Sequence, residues 1–146
     1  IAGASKSKEY NKSIKKEIDN HNYSKYITLL GSVSKESLKD LYQNTELLIF
    51  PSPCENFAYI LVEAMSMGVP IVCSNTTAMP DTCRDAAIYF NPYNSDDMTK
   101  VIYNTMDNPE EKRKLKIKSL DRASSLPFYR EVTQITLNCI MKLIDE

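Results

Sequence analysis

The sequence predicts an α/β fold, a Rossmann-like parallel sheet with helices on both faces. Three observations predict it. Residues 47–50 and 69–73 are near-continuous apolar runs, the pattern of strands buried on both faces. Apolar residues at helical spacing recur between and after these runs. Turn residues stand at the changeovers: Pro51-Ser52-Pro53, Gly68 and Asn91-Pro92. Alternating strands and helices indicate parallel layers.

Residues 5–20 are rich in Lys and Glu, with Tyr10, Ile14 and Ile18 four apart. They read as a surface helix with one apolar stripe. His21 follows in a polar turn and reads as a surface residue. Residues 26–30 read as a short strand closed by Gly31. Ser34 suits the N-cap of a helix over 35–43, with Leu38, Leu41 and Tyr42 facing inward. The strand at 47–50 is stopped by Pro51 and Pro53, which cannot donate to a ladder. The next helix is expected after Asn56, a fair cap residue, and ends at Gly68, a natural C′ residue. Strand 69–73, a polar loop over 74–80 and a helical turn over 81–84 follow. Residues 88–90 form a last short strand. From Ser95 the chain is helical over 95–107, then over 109–124 opened by Pro109, a favoured first helical residue. After Pro127 a final helix over 128–144 places Val132, Ile135, Cys139, Ile140 and Leu143 on one side.

The 146 residues fit one domain with a real core. The first residue is Ile1, and Ile1-Ala2-Gly3 reads as a strand tail, so the expectation is a fragment of a longer protein. Net charge is −1, from 18 basic and 19 acidic residues, which removes any global electrostatic case for nucleic acid or an anionic membrane. No nucleic-acid partner is expected. The four cysteines form no CxxC and no metal-ligand spacing, and read as reduced thiols, Cys73 and Cys139 within apolar patterns. No apolar run is long enough to cross a bilayer.

The chemistry concentrates in residues 50–65. This stretch reads as a strand end, a tight polar loop and the first turns of a helix. Glu55 and Glu63 are two acids in an otherwise nearly apolar segment. With Glu55 at the helix start and Glu63 two turns in, ideal geometry separates them by roughly 12 Å. That is about the span of a sugar, a pyrophosphate and a ribose. A helix start also offers free N–H groups and a positive dipole end, which suit a diphosphate. In parallel sheets ligands bind beyond the carboxyl ends of the strands, here the loops 31–34, 51–56 and 74–80. The expectation is a nucleotide-sugar site. Spacing alone reads Glu55 as an exposed acid at a helix start. Apolar Leu61, Val62, Ala64 and Met65 argue against a wide solvent face around Glu63. Cys54, Ser52 and Ser74 read as loop residues, and Met65 and Met67 as packing.

Around these acids the sequence resembles the retaining glycosyltransferases of family 4, which have the GT-B architecture. The match is Glu55-x7-Glu63-Ala64-Met65 followed by Gly68-Val69-Pro70-Ile71-Val72-Cys73-Ser74. Gly31-Ser32-Val33 precedes it, and Met79-Pro80-Asp81, Asp85-Ala86-Ala87, Phe90-Asn91-Pro92, Asp107-Asn108-Pro109-Glu110 and Phe128-Tyr129 follow it. The likeness covers about residues 26–143.

The resemblance implies that residues 1–146 are the single C-terminal, donor-binding domain of a two-domain enzyme. The acceptor, a glycan or lipid-linked sugar, would be held mostly by an N-terminal domain. The donor would be a UDP- or GDP-sugar, bound without a metal or cofactor. Glu55 would contact the transferred sugar in a catalytic supporting role, and Glu63 the ribose. The amides of Asn56, Phe57 and Ala58 would face the diphosphate and sugar, and Val33 would lie near the base. The expected location is cytoplasmic, with the parent enzyme at the inner face of the membrane.

This chain departs from the family in two loops. Asn56-Phe57-Ala58 stands where Gly-Phe-Gly is frequent, and Thr77-Ala78 where Gly-Gly is frequent, which narrows the room for a phosphate. The basic residues that neutralise the leaving diphosphate usually come from an earlier segment. A reading from another class is a non-catalytic flavodoxin-like interaction or signalling module. A phosphate-receiving module of that kind needs an Asp at a central strand end, where this chain runs into Pro51-Ser52-Pro53. An epimerase or polysaccharide synthase of related architecture is a third.

Overall fold

The structure, a computed structural model, describes residues 1, 3, 7–127 and 129–144. The chain forms two compact units, Ile1–Asn44 and Thr45–Glu146.

In the first unit, α1 (Lys8–Asn20) starts where the Ser7 hydroxyl accepts from the Tyr10 amide at 3.2 Å. Ile18 is buried, while Tyr10 is exposed, so the apolar stripe is narrower than its spacing suggests. His21 pairs with Glu17 on the surface. Residues 5 and 6 lie outside the described residues. The strand expected at 26–30 is not a regular strand. It is extended chain held by Ile1 and Gly3: the Leu30 amide donates to the Ile1 carbonyl and the Gly3 amide to the Gly31 carbonyl, each at 2.8 Å. Among the described residues the pairing amounts to a bridge at Gly31. Ser34 caps α2 (Lys35–Asn44) as expected, its hydroxyl accepting from the Ser37 amide at 3.1 Å, and Tyr42 is buried.

The second unit holds a three-stranded parallel sheet, β1 (Leu48–Phe50), β2 (Ile71–Ser74) and β3 (Ala87–Phe90), in the order β1-β2-β3. Phe50 lies opposite Cys73, and Ser74 opposite Phe90. All four residues of β2 are buried, so both of its faces are covered. β1 departs from the expectation of full burial: Ile49 is 42% exposed. β1 is an edge strand of this sheet, and one of its faces lacks cover among the described residues.

Helix α3 (Tyr59–Ser66) buries Leu61, Ala64 and Met65 and packs against β2. It ends in a Schellman motif. The Gly68 amide donates to the Met65 carbonyl at 2.9 Å, and the Val69 amide to the Ala64 carbonyl at 3.0 Å. Gly68 takes φ 66°, the left-handed conformation this turn requires. Helix α4 (Ala78–Cys83) begins earlier than the turn expected at 81–84 and runs into a single 3₁₀ turn, Arg84–Ala86.

Helices α5 (Ser95–Met106), α6 (Pro109–Ser125) and α7 (Tyr129–Ile144) follow the expected bounds within one or two residues. Asn94 caps α5 and Asn108 caps α6, each through its side-chain oxygen at 3.0 Å. α5 packs on β3 and on α6, and α6 packs on α3. The apolar side of α7, with Val132, Ile135 and Ile140, is exposed, and so is Cys139 within it. Phe128 and the side chain of Leu143 lie outside the described residues. Among the described residues no helix is long and apolar enough to cross a membrane.

Candidate functional site

β1 and β2 run parallel and in register, so their carboxyl ends open on the same edge of the sheet. Two loops leave that edge, 51–58 after β1 and 75–77 after β2. They are tied side by side. The Glu55 amide donates to the Thr77 hydroxyl at 3.0 Å, and the Thr76 hydroxyl donates to the Pro53 carbonyl at 2.9 Å. Ser52 acts within its own loop, its hydroxyl 3.3 Å from the Cys54 carbonyl. Ser74 is buried at the end of β2, 3.5 Å from the Phe50 carbonyl.

The helix does not start at Asn56. Asn56 and Phe57 form a bend, the Tyr59 amide donates to the Phe57 carbonyl at 3.0 Å, and Ala58 occupies the cap position without a side-chain bond. Asn56 is therefore not the cap its residue type suggests. Glu55 lies four residues ahead of the first helical residue, and Glu63 is the fifth residue of α3. The roughly 12 Å expected from two full helical turns does not apply, because the chain from Glu55 to Ala58 is not helical.

The later start leaves donors open. Among the described residues the amides of Asn56, Phe57 and Ala58 donate to no protein acceptor. Ala58 is buried at 2% exposure, while Phe57 and Tyr59 are exposed with their rings 4.6 Å apart. Glu55 is half-buried, and its carboxylate makes no hydrogen bond or ion pair among the described residues. Glu63 is exposed beside exposed Tyr59 and Ile60, so α3 does present a solvent face, contrary to the inference from its apolar neighbours. These five residues are gathered in the second unit. Val33 is half-buried in the first unit, just ahead of α2.

Two features of the site were not anticipated. The stretch from Thr45 to Cys83 contains no Lys and no Arg. It carries four acids, Glu46, Glu55, Glu63 and Asp81, so its net negative charge was legible in the sequence, had charges been counted by segment. The second is the backbone of Thr77, at φ 48° and ψ −125°, a conformation usual for glycine. Among the described residues no group of three His, Cys, Asp or Glu side chains is placed to hold a metal ion. An open depression of about 550 Å³ on the first unit is lined by α1 residues such as Lys12, Lys16 and Asp19. Its walls are one helix surface, and it shares no residue with the two loops.

Behind the loops, Cys73 and Cys83 are both fully buried. Their mutual hydrogen bond, together with burial, pushes the Cys73 thiol well above the ordinary range. The same bond, with help from Arg122, lowers Cys83. They form an interior pair, Cys73 in β2 and Cys83 at the end of α4.

The family model described as glycosyl transferases group 1 matches residues 1–121. The chain belongs to this family. It is 32% identical over 113 residues to O-antigen chain mannosyltransferase B of Escherichia coli, across 77% of this chain and 29% of that protein. It is 31% identical over 117 residues to the MMP alpha-(1->4)-mannosyltransferase of Mycolicibacterium hassiacum, across 78% of this chain and 28% of that protein. The chain thus spans less than a third of the length of these curated relatives. Among solved structures it superposes on sucrose-phosphate synthase from Thermosynechococcus elongatus with a TM-score of 0.83 at 18% identity, covering 98% of this chain and 37% of that one. Anabaena HepE in complex with UDP gives 0.79 at 17% identity, covering 99% and 40%. The glycosyltransferase group 1 chain therefore has the expected α/β fold of the GT-B enzymes.

Proposed function

We propose that this glycosyl transferases group 1 chain is the C-terminal, donor-binding domain of a retaining glycosyltransferase. One observation carries the reading. In a member of this family, three amides with no protein acceptor among the described residues, at Asn56, Phe57 and Ala58, lie at the carboxyl edge of a parallel sheet, between Glu55 in the loop and Glu63 in α3. In this reading the amides meet the diphosphate and the transferred sugar, Glu63 meets the ribose hydroxyls, and Glu55 contacts the sugar as the catalytic support. Fixed donors aimed at a developing diphosphate charge stabilise it without reorganisation. The segment from Thr45 to Cys83 has no cation of its own, so the balancing positive charge comes from elsewhere in the full-length protein.

The donor is a nucleoside-diphosphate hexose, UDP- or GDP-linked, and binds without a metal. Mannose is the first sugar to test, because relatives are by name mannosyltransferases, and UDP is supported as a nucleotide by the ligand of HepE. The acceptor is a glycan or lipid-linked sugar bound by an N-terminal domain. The parent enzyme works on the cytoplasmic side, at the membrane face where such acceptors are assembled.

A nucleotide titration followed by heteronuclear NMR tests the site, with UDP, GDP and ADP offered with and without EDTA. Saturable shifts centred on residues 56–64, weaker in a Glu63→Ala variant and unchanged by EDTA, are expected. Shifts that map elsewhere and ignore Glu63 would overturn the assignment. Loss of binding in EDTA would overturn the metal-free donor mode.

A further inference from the structure

We propose that Thr77 is a positioning residue for Glu55, with Thr76 as its second anchor. The inference rests on the donor reading above, in which Glu55 contacts the transferred sugar. Strands β1 and β2 fix the stems of the two loops, with Phe50 opposite Cys73. Beyond the strand ends the pairing continues through side chains. The Thr77 hydroxyl accepts the Glu55 amide at 3.0 Å across 22 residues of sequence, and the Thr76 hydroxyl donates to the Pro53 carbonyl at 2.9 Å across 23. The acid is thus bracketed, held at its own amide and two residues earlier.

The backbone of Thr77 gives the second line of argument. Its φ of 48° with ψ −125° is the first central position of a type II′ turn, where glycine is the natural occupant. A β-branched residue there is strained, and such strain persists only where the surroundings over-determine it. Glycine would relax the backbone but carries no hydroxyl. Here the hydroxyl is used twice, accepting from Glu55 and lying 3.9 Å from the sulfur of buried Met79. The bond to Glu55 is what a glycine at this position would forfeit. Thr77 in this chain therefore gives up room beside the donor loop in exchange for a fixed Glu55 backbone. A reacting group misplaced by an ångström loses on the order of 100-fold in rate, so such fixing matters to turnover more than to affinity.

The test uses the full-length protein with Thr77→Ser, Thr77→Val, Thr77→Gly and Glu55→Gln. The readouts are hydrogen exchange at the Glu55 amide, Tm, and kcat and KM for sugar transfer. Thr77→Val is expected to speed exchange at Glu55 and to lower kcat by about 10- to 100-fold with donor KM little changed. Thr77→Ser restores both. Thr77→Gly loses kcat as the valine variant does, yet its Tm does not fall, because the backbone strain is relieved. Activity and stability then part company, which a merely structural threonine would not produce. Equal exchange at Glu55 in the wild type and Thr77→Val would overturn the clamp. Wild-type kcat in Thr77→Val, or a serine variant as poor as valine, would overturn the positioning role. Undiminished transfer by Glu55→Gln would overturn the role of Glu55 itself, and the clamp seen by exchange would then stand as a structural bond only.

Discussion

The hydroxyl of Ser119, in the middle of α6, donates to the carbonyl of Val69 at 3.1 Å, in a place with no solvent exposure. The same hydroxyl lies 3.5 Å from the carbonyl of Ala86. Val69 leads into β2 and Ala86 into β3, so one side chain joins a helix to the entrances of two strands. Ser119→Ala would leave two buried carbonyls with one partner fewer. The expected loss is about 1–2 kcal/mol of stability, read from the urea midpoint at unchanged m-value. A variant as stable as the wild type would show that the contact contributes nothing net.

Gly68 combines φ 66° with a near neighbour, since a Cβ there would meet Leu120 at 3.3 Å. Leu120 is 44% exposed and can give way. The backbone, not the contact, therefore dominates the cost. Gly68→Ala is expected to destabilise by about 1–2 kcal/mol, and Gly68→Asn by less, because Asn tolerates the left-handed region. Chemical denaturation of the two variants side by side checks the order.

Arg122 ties α6 to the end of α4. Its Nε donates to the Thr82 carbonyl at 2.8 Å and its Nη2 to the Asp81 carbonyl at 3.0 Å. These are carbonyls that a helix end leaves unsatisfied, and a cation suits the negative end of the dipole. Arg122→Lys keeps the charge but loses the planar fork. Lysine is expected to recover less than half of the roughly 2 kcal/mol lost in Arg122→Met. If lysine restored full stability, charge and not geometry would be the cause.

Tyr89 gives a pH dependence. Its hydroxyl donates to the Arg84 carbonyl, and burial first, then the neighbouring Cys83, pushes the phenol well above its usual range. An unfolded tyrosine ionises near pH 10. The stabilising contribution is therefore complete below about pH 10 and is lost as pH rises toward the folded value, because the unfolded chain releases a proton that the folded one keeps. Thermal melts from pH 8 to 11 should show Tm falling at the alkaline end more steeply in the wild type than in Tyr89→Phe. Parallel curves would count against a protected phenol.

Much of this architecture is written in local residue chemistry. Gly68 ends α3 because only a residue tolerant of positive φ closes that turn. Asn94 and Asn108 open α5 and α6 because their short side chains reach the free amides. Strand β2 is legible because burial on both faces demands an unbroken apolar run. Asn56 misleads for the complementary reason. It is a good cap by type, yet the Phe57 carbonyl takes the Tyr59 amide, and the helix starts two residues later than a cap at Asn56 implies. The run at 26–30 misleads too, since a strand is made by its ladder and not by its apolar residues alone, and among the described residues the ladder comes down to bonds with Ile1 and Gly3. The two acids stand out in the sequence, but their apolar neighbours did not disclose the solvent face that Glu63 occupies. The bond from Glu55 to Thr77 was not legible, because it joins residues 22 apart through a loop conformation that threonine rarely adopts.

The stretch from Thr45 to Cys83, which carries both loops and all of α3, has no Lys and no Arg. In the donor reading proposed above, its attraction for a diphosphate comes from backbone dipoles at short range, set against the acids Glu46, Glu55, Glu63 and Asp81. Such contacts feel added salt far less than exposed ion pairs do, since screening acts over about 10 Å at 0.1 M. Ionic strength is therefore a way to divide the labour within the full-length protein. In the proposed reading, the part of donor affinity that salt leaves unchanged reports these short-range dipoles, and the part that changes with salt reports charged side chains, the acids of this segment among them.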